Sequence, residues 1–368
     1  MNDTSKLGRT FRLRVKTVTP LHIGTGNILL RDYDYRTKGT TTFVLNQDAV
    51  LTREYTKTNR TPTKPAGQYV SEQDLNGESG FVRYSLSGTT TLDQIHEQIK
   101  DVGGNLYLPG SSLKGALRTA LLAHLAGSKV LAGKSFGEKF AKSAAQPFEQ
   151  AGFRPKQDSA NYDLLRALQL ADSKAIPAQS NTLLLQHVRV IADDTASIPI
   201  AVEAIPRGVT FESQLRLDDY LLREKAAELG WAGKGELLEQ LPALTNQWAD
   251  RQIERDQKLA KQMGWAAAEK IYSAMLKRSR TSDVFLLQLG WGTGWESTTI
   301  GTYLPEEQVR AAREWFELGK PPQWKGPWRP NFDKPFPKGH RLTVRENKNS
   351  APAQEPLGWV VVEMKVQG

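Results

Sequence analysis

Apolar and polar residues alternate through 10–19, TFRLRVKTVT: Phe11, Leu13, Val15 and Val18 are apolar, while Arg12, Arg14 and Lys16 share the other face. A period of two predicts a strand with one buried face. Its second face is basic, which suits either a solvated sheet surface or a strand facing nucleic acid. PLHIGTGN (20–27) reads as a Gly-rich turn, and ILLRDYDYRTKGTTTFVL as a hairpin around Lys38-Gly39. Residues 52–80 are polar and turn-rich, predicting a long exposed loop or a poorly ordered insertion.

A strand ending at Leu108 leads into LPGSSLKGALRTALLAHLA. There Leu113, Ala116, Leu117, Ala120 and Leu121 recur at the i, i+3, i+4 spacing of a helix with one face in a core. Residues 127–160 carry Lys129, Lys134, Lys139, Lys142, Arg154 and Lys156 with few acids. Strands are expected within 161–176 and 200–217, with Pro206-Arg207-Gly208 turning the chain between VEAI and TFESQLRL. Residues 218–280 read as helices broken near Gly230, Gly233 and Pro242, their alternating charges marking a mostly solvated face. Sheet returns at 283–301, a short helix covers 305–317, residues 319–343 show no period, and 358–366 is the last strand.

This order lacks regular parallel crossovers, so the fold class is α+β with antiparallel sheets and helical insertions. Two domains are expected, 1–217 and 218–368. An echo of Gly-Thr-Gly, in HIGTGN and again in GWGTGW, leaves open whether one or two similar cores are present.

Composition narrows the function. Forty-nine Lys and Arg against 40 Asp and Glu give a net charge of +9, which favours a polyanionic partner. The absence of cysteine removes disulfides, zinc–thiolate sites and thiol nucleophiles, and fits a reducing cytoplasm. No stretch reads as a signal peptide or a membrane span.

The chemistry is concentrated in a few places. After the Pro109-Gly110 turn, Ser111 or Ser112 can cap the helix, and Lys114 and Arg118 follow one turn apart. Helix N–H groups, two hydroxyls and two cations suit an anion. The Gly-Lys-Ser/Thr ending of a nucleotide-binding loop is missing. Gly290, Gly292 and Gly294 form a second loop beside Trp291 and Trp295, able to approach phosphate or stack on bases, or simply to pack. It is not a dinucleotide fingerprint, because no βαβ unit with a helix starting in the loop is expected there. Five histidines show no metal-ligand spacing. His22 is either a general base or a structural residue. Asp32 and Asp34 either hold a metal for phosphodiester cleavage or belong to an edge hairpin. No Ser/His/Asp order emerges, and no cofactor or metal is called for.

Taken together, TPLHIGTGN, YLPGSSLKGALRTAL, LLRALQLADS, EAIPRGVTF, LLQLGWGTGWESTTIG and FPKGHRL…PLGWVVV resemble, in order and over nearly the whole chain, a RAMP protein of a type III CRISPR effector. The early PLHIGTG and late PLGW are most similar to the Csm-type head subunit of the type III-A complex. The resemblance implies a ferredoxin-like (RRM-like) core and a non-catalytic, RNA-binding subunit. Such a subunit caps the backbone filament, contacts the 3′ part of the CRISPR RNA and supports guide maturation in antiviral defence. Its expected partners are CRISPR RNA, the backbone and small subunits, and further, target RNA. Carried onto this chain, Ser111, Ser112, Lys114 and Arg118 become RNA-backbone contacts, and Gly290, Gly292 and Gly294 a loop near RNA or a neighbouring subunit. His22, Gly24 and Gly26 match the first Gly segment, and Arg12 and Arg14 supply the basic strand. The alternatives are an endoribonuclease using Asp32, Asp34 or His22, or a different type III RAMP subunit.

Overall fold

The alternating stretch forms the strand Arg9–Thr17, which buries Phe11, Leu13 and Val15 and exposes Arg12, Arg14 and Lys16. The computed structural model describes residues 7–367 except 128–130, 132, 138–142, 193–194, 197–198, 322–323, 334–335, 338 and 346–352. Lys129, Lys139 and Lys142 of the basic stretch therefore lie outside the described residues.

Arg9–Thr17 sits between Thr210–Leu217 and Trp359–Val366, antiparallel to both. Leu168–Leu170 extends this sheet on one side and Val284–Gln288 on the other. Without the Val284 edge, the strands lie in the order fourth, first, third, second. The helix Gly110–Ala126 falls between the first and second strands in sequence, and Leu241–Gln262 between the third and fourth. This is the split βαβ pattern of a ferredoxin-like core. Residues 1–217 supply three of its strands and 218–368 the other two.

A second sheet of ten strands runs along Gly24–Leu30, Gln94–Gln98, Ile200–Ala204, Leu184–Ala192, Val82–Ser87, Thr41–Leu45 and Tyr35–Lys38. His340–Val344, Ala353–Pro356 and Thr195–Ala196 join it off that path. The chain thus has two sheet-based cores, and the echo of the two Gly-Thr-Gly segments falls between them. The turn at Pro206–Gly208 does not close a hairpin. It passes the chain from the second sheet (Ile200–Ala204) to the first (Thr210–Leu217). The first strand makes the reverse passage alongside it, with Leu21 bridged to Ile205.

Several local expectations change. Residues 52–80 are mostly exposed, as expected, but they are not only loop. Helix Gln47–Thr58 and the turn Ala66–Tyr69 bury Val50, Ala66, Val70 and Leu75 against Leu45 in a small core of their own. Those apolar residues are too widely spaced to make a period. Gly24–Leu30 is a strand rather than a turn. The strand ending at Leu108 reduces to single bridges of Leu106 with Lys100 and Ile176. Residues 161–176 hold only the short strand Leu168–Leu170, because Asp163 accepts the Leu165 N–H and winds the preceding residues into 3₁₀ turns. Gly230 ends a helix in the left-handed conformation and Pro242 starts one, as the sequence predicts. That helical block is not simply solvated, since Trp231, Trp248 and Ile253 are buried in the main core.

Candidate nucleic-acid interface

The helix Gly110–Ala126 begins two residues earlier than a cap at Ser111 would place it. Pro109 is its N-cap and makes no side-chain cap bond. The cap comes from elsewhere in the chain, for Asp172 Oδ1 accepts the Gly110 N–H at 2.7 Å. Ser111 and Ser112 are therefore not caps. They remain on the first turn, exposed and half-buried respectively. Gly110 is required by contact: a Cβ there would stand 2.6 Å from the Leu170 carbonyl oxygen and 2.8 Å from that of Ala171. A carboxylate already occupies this end of the helix dipole, so the site is less open to an anion than its sequence suggests.

Lys114 and Arg118, one turn apart, differ sharply. Arg118 donates to both oxygens of Asp163, at 3.2 and 2.9 Å, and to Glu149 at 3.1 Å, and it stacks on Phe153. Arg154 joins the same two acids and Asp158. Burial raises the Asp163 carboxyl, but the two arginines outweigh it and hold it below the ordinary range. Arg118 is thus tied internally to Asp163 and Glu149. Lys114 is half-buried and has no ion pair among the described residues. Burial lowers its pKa, with Asp163 opposing and Arg118 reinforcing the shift.

The two Gly segments meet. Trp291 N–H donates to the His22 carbonyl at 2.9 Å, and the two rings stand edge to face. Gly290 has a φ of 74°, and a Cβ on it would lie 2.2 Å from the His22 oxygen. A Cβ on Gly292 would collide with Leu357. Gly290 and Gly292 are therefore required by the close packing of the chain against itself. Gly24 lies 3.0 Å, by its would-be Cβ, from His22 Nε2. Only Gly26 and Gly294, both at positive φ, have open space where a side chain would point. Arg341 caps this clasp, lying over the Trp291 ring and donating to its carbonyl. Trp295 packs on Phe336 and against Gly301, which favours the packing alternative for it. A short helix, Gly294–Thr298, does start in the loop, contrary to expectation, but the strand before it, Val284–Gln288, pairs antiparallel with Trp359–Val366 and the next strand, His340–Val344, lies in the other sheet, so among the described residues the loop is not part of a βαβ unit.

His22 is buried, with Nδ1 2.7 Å from the Glu203 carbonyl. Burial depresses its pKa to about 4. That environment fits a structural histidine and does not fit a solvent-facing base. Beneath it, fully buried Glu203 accepts from Tyr84, Lys100 and the Gln98 N–H. Asp32 pairs with Arg36, and Asp34 accepts the Leu30 N–H and the Gln47 amide. They fix the hairpin entry rather than converge on a common point. On the basic strand, Arg12 is bonded to Glu212, and Arg14 to Glu363 at 3.3 Å. Lys174 and Lys365 pair with the same two acids. Arg12 and Arg14 are therefore paired rather than bare, although four cations share these two carboxylates and the patch stays net positive.

One cluster escaped sequence reading altogether. Asp256, Glu296 and His340 bring one ligand atom each within 4.8 Å of one another. Arg255 lies 3.0 Å from Glu296 and 3.6 Å from Asp256, and Tyr272 also bonds Asp256. Burial raises Asp256 to about 6 and Glu296 to about 7, and lowers His340 to about 4. The group ties the end of the Gly-rich loop to the long helix. Its members come from three distant segments, so no spacing could have revealed it.

A family model described as the RAMP superfamily matches residues 14–297. The chain belongs to the RAMP superfamily. Among curated RAMP relatives, it is 28% identical over 163 residues to the CRISPR system Cms protein Csm5 of Mycobacterium tuberculosis strain H37Rv, covering 41% of this chain and 42% of that protein. It is 28% identical over 205 residues to the Csm5 of Streptococcus thermophilus, covering 48% and 54%. The chain thus matches about half the length of these relatives. A chain of the cryo-EM structure of a Csm–crRNA–target RNA ternary complex in a type III-A CRISPR-Cas system superposes with a TM-score of 0.69 at 26% identity, covering 97% of this RAMP protein and 100% of its counterpart. The crystal structure of T. onnurineus Csm5 gives 0.63 at 24%, covering 95% and 99%, a likeness of fold. No described helix is long and apolar enough to cross a membrane.

Proposed function

We propose that this RAMP protein is a non-catalytic, RNA-binding subunit of a type III-A Csm complex. It caps the filament of backbone subunits and contacts the 3′ part of the CRISPR RNA. Its partners are that RNA, the backbone and small subunits, and target RNA as it pairs with the guide. The observation that carries this reading is the likeness, end to end, to one chain of an RNA-loaded Csm complex.

The geometry supports a gripping rather than a cleaving role. Lys114 stands unpaired beside Ser111 and Ser112, and Gly26 and Gly294 leave backbone accessible. These groups suit phosphate and ribose, which are contacted without regard to sequence. The nuclease alternative loses its residues: His22 is buried, and Asp32 and Asp34 are held in separate local bonds. Incubating the purified protein with end-labelled RNA, with and without Mg²⁺, should leave the RNA intact. Cleavage that disappears in Asp32→Ala or His22→Ala would overturn the non-catalytic reading.

A further inference from the structure

The sheet face that carries Arg12 and Arg14 changes character toward Lys16. There the strand runs into an open groove of about 1050 Å³. Lys16 and Arg207 stand on one wall, and Lys270, Lys277 and Arg278 on the other, contributed by the helix Ala266–Leu276 and the turn after it. The floor between them is aliphatic, with Val18, Ile271 and Met275. A second cavity of about 620 Å³ shares Arg207 and Glu355 with the first and continues to Arg345, past Gln186 and Thr343. The two form one path lined by six arginines and lysines and a single carboxylate.

These cations are unlike those at the other end of the face. Arg207 approaches Glu355 at 3.7 Å, but Lys16, Lys270, Lys277, Arg278 and Arg345 have no ion pair among the described residues. All five are exposed. Lys270 and Lys277 are seven residues apart, close to two helical turns, which sets them about 10 Å apart along one side of the groove. Cations on both walls of a channel follow a phosphate backbone, and the polar far end can meet 2′-hydroxyls or base edges.

We propose that this groove is a second track for single-stranded RNA, read through its backbone and separate from the helix start at Lys114. Helix Gly110–Ala126 buries Leu113 and Leu117 in the core that holds Phe11, Leu13 and Val15, whereas Lys16 projects from the opposite face of that strand. The inference rests on the reading of the chain as an RNA-binding subunit and extends it to a longer segment of strand. Among the described residues, the one aromatic ring lining the groove is the imidazole of His187, which bonds Thr90, so most bases have no ring to stack on. Affinity there comes from phosphates, tolerates any sequence and falls steeply with salt.

The test is fluorescence anisotropy of a fluorescein-labelled oligouridine of about 20 nucleotides on the whole protein, between about 50 and about 200 mM salt. The triple variant Lys270→Ala, Lys277→Ala, Arg278→Ala should bind about tenfold or more weakly at the lower salt, and its salt slope should flatten by about 2. Its thermal melting should match the wild type, and Lys270→Arg with Lys277→Arg should restore binding. If the wild type binds RNA while the triple variant keeps its affinity and slope, the groove is not an RNA track and the function reading still stands. The same holds if the triple variant keeps RNA but drops a neighbouring subunit from the complex, which would make the groove a protein-docking site. If the wild type and the Lys114→Ala protein are equally unable to bind RNA, both readings fall.

Discussion

Two ends of one sheet face carry similar sequences and opposite chemistry. At one end Arg12 and Arg14 meet Glu212 and Glu363 across the strand ladder, and Lys174 and Lys365 complete a closed charge network. At the other, Lys16 meets Val361 in register on one side and Thr210 on the other, neither of them charged. Arg12, Arg14 and Lys16 look equivalent along the chain. Their cross-strand neighbours decide which charge is available to a partner. Helix Gly110–Ala126 repeats the lesson within one turn: Arg118 is held by Asp163 and Glu149, and Lys114 is not.

If this division is real, breaking an internal tie should cost stability and leave RNA binding intact, and removing an unpaired cation should do the reverse. The largest effect is expected at Asp163, whose carboxylate serves both Arg118 and Arg154. Asp163→Ala leaves two half-buried guanidiniums sharing Glu149, with Asp158 serving Arg154 only, and should cost about 3 kcal/mol in chemical denaturation. A stability change near zero would show that the network contributes nothing to holding the fold.

The next effect concerns pH. His22 titrates near 6.5 when unfolded and near 4 when folded. Between those values the unfolded chain binds the extra proton, so this residue's contribution falls as pH drops from 6.5 toward 4, by roughly 3 kcal/mol in total. His340 acts in the same direction, and the raised Asp256 and Glu296 oppose both. The informative quantity is therefore the difference between proteins. His22→Asn should lose stability less steeply than wild type over this range, and parallel profiles would contradict the buried, neutral histidine.

Much of the architecture was legible because it depends on local period. The first strand, the apolar stripe of the Gly110 helix, the breaks at Gly230 and Pro242 and the final strand all follow from spacing and turn chemistry. The small core under 52–80 was not legible, since Val50, Ala66, Val70 and Leu75 meet only after the chain has turned several times. The site was half legible. Residue types at the Pro-Gly-Ser-Ser turn announced an anion, but the cap that partly fills it is Asp172, 62 residues away. The glycines of the late loop announced close backbone approach. What approaches Gly290 is the carbonyl of His22, a partner no sequence spacing identifies.

Smaller effects sharpen the contrast between paired and unpaired cations. Lys114→Ala should leave thermal melting unchanged and weaken retention of guide RNA in the purified complex severalfold, read as RNA recovered per subunit after a moderate-salt wash. Arg12→Ala with Arg14→Ala should alter neither melting nor RNA retention detectably, because exposed pairs of this kind contribute little.

The most direct test places Lys114→Ala and the Arg12→Ala, Arg14→Ala double variant side by side in RNA-binding titrations over a range of salt. The account predicts that losing one unpaired lysine, Lys114, weakens binding and lowers the salt slope by about 0.7, one phosphate contact on a single strand, while losing two paired arginines changes neither. A flat response to Lys114→Ala, together with a steep loss in the double variant, would contradict it.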